Sequence, residues 1–286
     1  MKEFFANIAW TMEKPAFGGA WHLCFLIFGL IACVVGAWLL RKTTDKQAKW
    51  IVFACGVALL LFETCDQLFW FFYLGDGVHY QWWLFPFQLC DAPIYLCLIF
   101  AFMKDNPAKR AVYNCLATYN LFGGFVSIIE RSGLSFEYVI LSVNGYTSHL
   151  LLVFLGMYLV ASGRACKGWK DWFLGMAAFF TLCSLAQILN VIFQDKPTFL
   201  FYISPYLSTP LAVFHDIEAS IGWFGNMCLY LLALSIAAVI MFLVGMYGRK
   251  PYRLLAEKIK AKINGRNGYG REDEGAEGTE RQKTEK

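Results

Sequence analysis

The chain has 286 residues, of which 58% are hydrophobic, 18% aromatic and only 16% charged, with a formal net charge of +4. That composition lies far from the average soluble domain, and the length holds one membrane bundle with short loops but no separate soluble catalytic domain. A positive-inside loop bias accounts for the small basic excess, so no nucleic-acid partner is expected.

Residues Met1 to Phe17 carry Glu3 and Glu13, lack a basic n-region and have no small-residue cleavage site after them, so no cleaved signal peptide is expected. Seven apolar stretches follow, roughly Ala20 to Leu40, Ile51 to Leu74, Trp82 to Met103, Ala111 to Ile129, Val139 to Ala161, Trp172 to Phe193 and Ile221 to Met246. Each is near the ~20 residues a spanning helix needs. The expected fold is therefore all-α, a polytopic membrane protein with seven transmembrane helices over residues 1–248.

Arg41, Lys42, Lys46 and Lys49 follow the first stretch, Lys104, Lys109 and Arg110 the third, and Arg164, Lys167 and Lys170 the fifth. These loops face the cytoplasm, which puts the N-terminus outside and the C-terminus inside. Trp82, Trp83, Trp172 and Trp223 sit at stretch ends, where indoles favour the headgroup level. Between the sixth and seventh stretches, Phe199 to Phe214 is apolar but broken by Pro205 and Pro210, which predicts a re-entrant or interfacial lid on the outer side. Residues 249–286 start basic and amphipathic and then turn rich in Gly, Glu and Lys. They predict a segment held on anionic inner-leaflet lipids and then a disordered cytoplasmic tail.

Polar side chains inside the stretches share one depth. At 1.5 Å of rise per residue from the outer end, Cys90 and Asp91 lie roughly 12 to 14 Å down, Glu63 and Asp66 about 10 to 16 Å, and His149 about 15 Å. Gln88, Asn120, Gln187 and Asn226 come close to this layer. Carboxylates in hydrocarbon must be paired, protonated or hydrated, so Glu63, Asp66 and Asp91 mark either a functional site or a hydrogen-bond network joining helices. Glu63 and Asp66 share a helix face at i,i+3.

The run Phe85-Pro86-Phe87-Gln88-Leu89-Cys90-Asp91-Ala92-Pro93 carries the most local information. Two prolines weaken the helix and free carbonyls, which predicts a bent cavity wall. An intramembrane cysteine usually serves as a small apolar filler. Cys90 stands apart because Pro86, Gln88 and Asp91 surround it and His149 lies at its depth, where a neutral imidazole can take the thiol proton. A lone intramembrane histidine otherwise links helices. His22 and His215 read as interfacial, and His215, Asp216 and Glu218 lack a second spaced partner for a metal. The cysteines include no CxxC pair, and no lysine between Ile221 and Met246 offers a retinal Schiff base. Neither a metal nor a cofactor is expected.

The segment Ala16-Phe17-Gly18-Gly19-Ala20-Trp21-His22, a glutamate in the second stretch, the run Phe85 to Asp91 and the lone His149 together resemble the YwaF-like integral membrane family. That family is related to an animal transmembrane acyltransferase family acting on lyso ether phospholipids. Its third-helix motif reads approximately Leu-Pro-Leu-His-Leu-Cys, and its cysteine and downstream histidine, the proposed catalytic pair, match Cys90 and His149. Gln88 stands where many members carry histidine, and a Thr-Pro element is missing from Leu121 to Glu130.

The resemblance implies a lipid-modifying enzyme, by acyl transfer or acyl ester hydrolysis, with a membrane lipid or acyl-lipid substrate in the cell membrane. Cys90 would be the nucleophile and His149 the base, Gln88 or Asn120 the oxyanion donor, and Glu63 or Asp66 the group orienting the imidazole. Two other classes stay open. Glu63, Asp66 and Asp91 could serve a proton-coupled transporter or small-ligand receptor, or the layer could be polar glue in a scaffold.

Overall fold

Apolar segments in lipid have no water to satisfy their backbone, so they close their hydrogen bonds internally as helices. Among the described residues of the computed structural model, six helices are long and apolar enough to cross a bilayer. The structure describes residues 1–248, so the basic segment and tail expected over 249–286 lie outside the described residues. Residues 1–243 form one compact unit.

A short helix α1 (Lys2–Ile8) precedes α2 (Ala20–Leu40) and α3 (Asp45–Leu74). Thr44 starts α3 with a reciprocal capping box to Gln47. After a short α4 (Ala92–Phe100) come α5 (Pro107–Glu130), α6 (Val139–Ala161) and α7 (Trp169–Ile192). The last helix, α8 (Ala212–Tyr247), is kinked at Gly222, whose φ of 72° suits a residue without a Cβ. Phe28, Ile31, Val35 and Leu39 of α2 form an exposed apolar stripe at helical spacing, as do Leu229, Leu232, Ile236 and Ile240 of α8. In water such stripes would be anomalous; in a bilayer they are the lipid face. The turn after α3 is closed by Asp76, which accepts from the backbone N–H of Val78 and His79 and from the His79 ring. These bonds, the ring's first, hold its carboxyl well below the usual range.

The third expected stretch, Trp82 to Met103, is not one helix: it is broken in the run where the two prolines predicted a bend. Trp82–Leu84 is a single 3-10 turn, and α4 covers only nine residues. The cause is the proline pair. Pro86 forces Phe85 to an extended ψ of 122°, whereas Pro93 sits in the first turn of α4, where a missing N–H costs nothing.

Polar contacts sort the connections into two ends of the bundle. At one end Arg164 donates to the Thr43 carbonyl and Asp45, Lys109 to the Ala101 and Met103 carbonyls, and Arg110 to the buried Asp171 at 2.6 Å. At the other end Met12 N–H bonds to the Glu137 carbonyl, Arg131 reaches the Pro15 carbonyl, His22 Nε2 donates to the Ile128 carbonyl, and Trp82 packs on Phe193. The broken segment between α3 and α5 thus carries the chain from the second end to the first, as an intact helix would.

Helix α5 crosses α6 at backbone contact. A Cβ on Gly124 would lie 2.9 Å from the His149 carbonyl oxygen, and one on Gly156 only 2.7 Å from the Leu121 Cβ. Small residues at such crossings let membrane helices approach closely. Beside them, Cys33, Leu121, Ile128, Leu134, Tyr146 and Val153 form a buried core cluster.

Candidate functional site

A cavity of about 410 Å³ lies in the half of the bundle near the Arg131 end, within the size range of small-ligand sites. Helix α3 presents Glu63, Asp66, Gln67 and Trp70 to it, and α6 presents Gly145, Ser148, His149 and Leu152. Both sets follow the i, i+3, i+4, i+7 spacing of one helix face. The non-helical run before α4 adds Phe85, Gln88, Cys90 and Asp91, and the connection before α8 adds Phe199, Tyr202 and Pro210. Leu59, Ile94 and Leu152 form a buried floor on which Cys90 packs.

Cys90 occupies a turn held from several sides. The Asp91 carboxylate accepts the Gln88 backbone N–H at 2.8 Å, and the Gln88 carbonyl accepts from Asp91 and Ala92 N–H. Asn120 Nδ2 donates to the Leu89 carbonyl at 2.6 Å. The sulfur itself donates to Asp91 at 3.4 Å. Because the helix begins at Ala92, Cys90 lies at the N-terminal end of α4, where the dipole favours negative charge.

His149 faces the cavity from α6. Its Nδ1 lies 2.8 Å from the Gly145 carbonyl oxygen, an acceptor only, so Nδ1 carries the proton. In the neutral ring the lone pair is then on Nε2, the tautomer a general base requires.

Among the described residues, neither carboxylate of α3 is hydrogen-bonded to that imidazole. Glu63 accepts from Gln67 at 2.7 Å, and Asp66 accepts from Asn144 at 2.8 Å. Gln67 is held in turn by Tyr80 and by a bond to the Leu84 carbonyl. The expected oxyanion donors are engaged as well, Asn120 on Leu89 and Gln88 Nε2 on the Phe199 carbonyl. Asn120, Gln187 and Asn226 do not line the cavity. Gln187 keeps a buried Oε1 without a partner among the described residues, and Asn226 donates to Glu218.

Against this geometry, residues 16–246 match the TMEM164 family. The chain belongs to the TMEM164 family. No curated protein and no solved structure is similar enough to count as a match. The stretch matched to TMEM164 contains every residue that carries the YwaF-like resemblance and the whole cavity lining. With its apolar helices it makes this TMEM164 member a multi-pass membrane protein.

Sequence reading of this TMEM164 member gathered Glu63, Asp66, Gln88, Cys90, Asp91 and His149 into one layer, and all six line the cavity. It missed Gln67, Asn144 and Tyr202. Asn144 had a signal, as an amide inside an apolar helix that demands partners. Tyr202 had none, because only the folded connection brings it to the cavity wall.

Proposed function

We propose that this TMEM164 family member is a membrane-embedded acyltransferase that moves an acyl chain between phospholipid and lysophospholipid through Cys90. The observation that supports this reading most is that Cys90 and His149, from separate elements, line one cavity, with the imidazole proton fixed on Nδ1. His149 Nε2 takes the Cys90 proton as the sulfur bonds to the ester carbonyl carbon and the carbonyl electron pair moves to oxygen. The pair returns, the C–O bond breaks, and His149 gives its proton to the departing lipid alkoxide. A lysolipid hydroxyl then gives its proton to His149, attacks the thioester and restores the thiol; water in its place yields hydrolysis. All atoms balance without a cofactor.

In this proposal the chain crosses the cell membrane seven times, the broken segment counting as one crossing, with the N-terminus outside. The basic connections at the Arg110 end support that orientation. The cavity then lies in the outer half of the bilayer, near the ester depth of a phospholipid.

The test is acyl transfer by purified protein in lipid nanodiscs, from labelled phosphatidylcholine to a lysophospholipid. Cys90→Ser and His149→Ala are each expected to lower the rate at least ~10²-fold. Unchanged transfer in both variants overturns the proposal. Three carboxyls on the cavity wall favour a transporter as the second reading. That reading gains if pH-dependent uptake survives Cys90→Ser and is lost in Glu63→Gln.

A further inference from the structure

Attack on an ester places negative charge on the carbonyl oxygen, and the proposed site needs a donor there. The two side-chain amides nearest Cys90 in sequence and fold, Gln88 and Asn120, already donate to the backbone carbonyls of Phe199 and Leu89. Among the remaining donors on the wall, Ser148 is bonded to the Gly145 carbonyl and Gln67 to Glu63. The indoles of Trp70 and Trp83 pack edge to face on each other at 5.0 Å. Tyr202 differs from all of these. It lines the cavity, and its hydroxyl makes no hydrogen bond to the described residues. It shares the cavity wall with Cys90, Asp91 and His149.

The chain invests unusual local structure in that placement. Phe201 and Tyr202 both have left-handed backbones, with φ of 55° and 58°, a conformation that side chains with a Cβ rarely adopt. Strain of this kind persists only where the surroundings over-determine it, and here two amides do so. Gln88 accepts from Phe201 N–H at 2.8 Å while donating to the Phe199 carbonyl. Asn190 accepts from Leu200 N–H and donates to the Leu200 carbonyl. The Tyr202 ring is stacked on Phe199 and edge-on to Tyr230. A donor fixed before substrate arrives is what stabilises a developing charge most.

We infer that Tyr202 is a further catalytic residue of this cavity, its hydroxyl donating the hydrogen bond to the oxyanion formed as Cys90 attacks the acyl ester, with Gln88 and Asn190 as its positioning residues. The inference rests on the acyl-transfer reading and adds the group that receives the charge.

The test is single-turnover formation of acyl-Cys90 on the full chain in nanodiscs, followed by intact-mass spectrometry. Tyr202→Phe removes an oxygen with no hydrogen-bond partner among the described residues. It is expected to slow acyl-Cys90 formation about 10²-fold with KM within about twofold, while iodoacetamide alkylates Cys90 at the wild-type rate. Tyrosine fluorinated at one ring position keeps the donor at 202 and is expected to restore more than half of the rate. A wild-type rate in Tyr202→Phe overturns the role of Tyr202 and leaves the acyl-transfer reading standing. Equal losses in the phenylalanine and fluorotyrosine proteins overturn it too, by tracing the defect to packing. Absence of any acyl-Cys90 in the wild type overturns both.

Discussion

At residue scale, Gln88 shows how tertiary contacts decide a side chain's role. Its place two residues before Cys90 pointed to an oxyanion donor, yet both ends of the amide hold the backbone of the Phe199–Phe201 turn. An amide offers a donor and an acceptor side by side, which matches one N–H and one C=O of a neighbouring chain. Gln88→Met keeps the length and strands both backbone groups. Leaving a buried polar group unsatisfied costs about 1–3 kcal/mol, so the variant is expected to lower the melting temperature by several degrees in a nanodisc melt. It is also expected to raise amide exchange at Phe201. Unchanged exchange there would contradict the clasp. The layer of Glu63, Asp66, Cys90, Asp91 and His149 was legible because charged and reactive groups in apolar stretches need a common polar surrounding. Their hydrogen-bond partners were not, because Asn144 and Gln67 compete for the carboxylates only once α3 and α6 pack.

At the scale of elements, hydropathy located the helices and missed where the backbone breaks. Val139 to Ala161 was expected as one helix and is one, whereas Trp82 to Met103 is equally apolar but contains Pro86 and Pro93. Apolarity measures transfer into lipid; a helix also needs N–H groups and room before each proline. The break benefits the site, since it ends the helix at Cys90 rather than burying the thiol in mid-helix. The crossing of α5 on α6 makes the reverse point, because a glycine there sets the position of His149. Gly124→Ala puts a methyl 2.9 Å from the His149 carbonyl oxygen, and overpacking of this kind costs about 1–3 kcal/mol. The variant is expected to melt earlier and to lose acyl transfer. Gly133→Ala, with nothing within 4 Å of the added methyl, is expected to stay within about 0.5 kcal/mol of the wild type. Equal melting of the two variants would dissociate the crossing from stability.

At the scale of the whole molecule, charge and path agree. Loops rich in Lys and Arg, far apart in sequence, meet at one end of the bundle through Arg164–Asp45 and Arg110–Asp171. The cavity lies toward the opposite end, among residues that follow α5 and α7. An even number of crossings would put both termini on one side of the membrane; in the proposed topology the return of the broken segment makes the number odd. A position before the break and one in the third basic loop therefore separate the alternatives. Val78, 74% exposed after α3, and the exposed Lys167 before α7 stand at the two ends. With a membrane-impermeant maleimide on intact cells, Val78→Cys is expected to label above the wild-type background. Lys167→Cys is expected to label only after permeabilisation. The reversed pattern would turn the molecule over, place the cavity in the inner half of the bilayer and make cytoplasmic-leaflet lipid its substrate. Labelling of both in intact cells would contradict a membrane between the two ends, and with it the reading of the exposed apolar stripes on α2 and α8 as lipid faces.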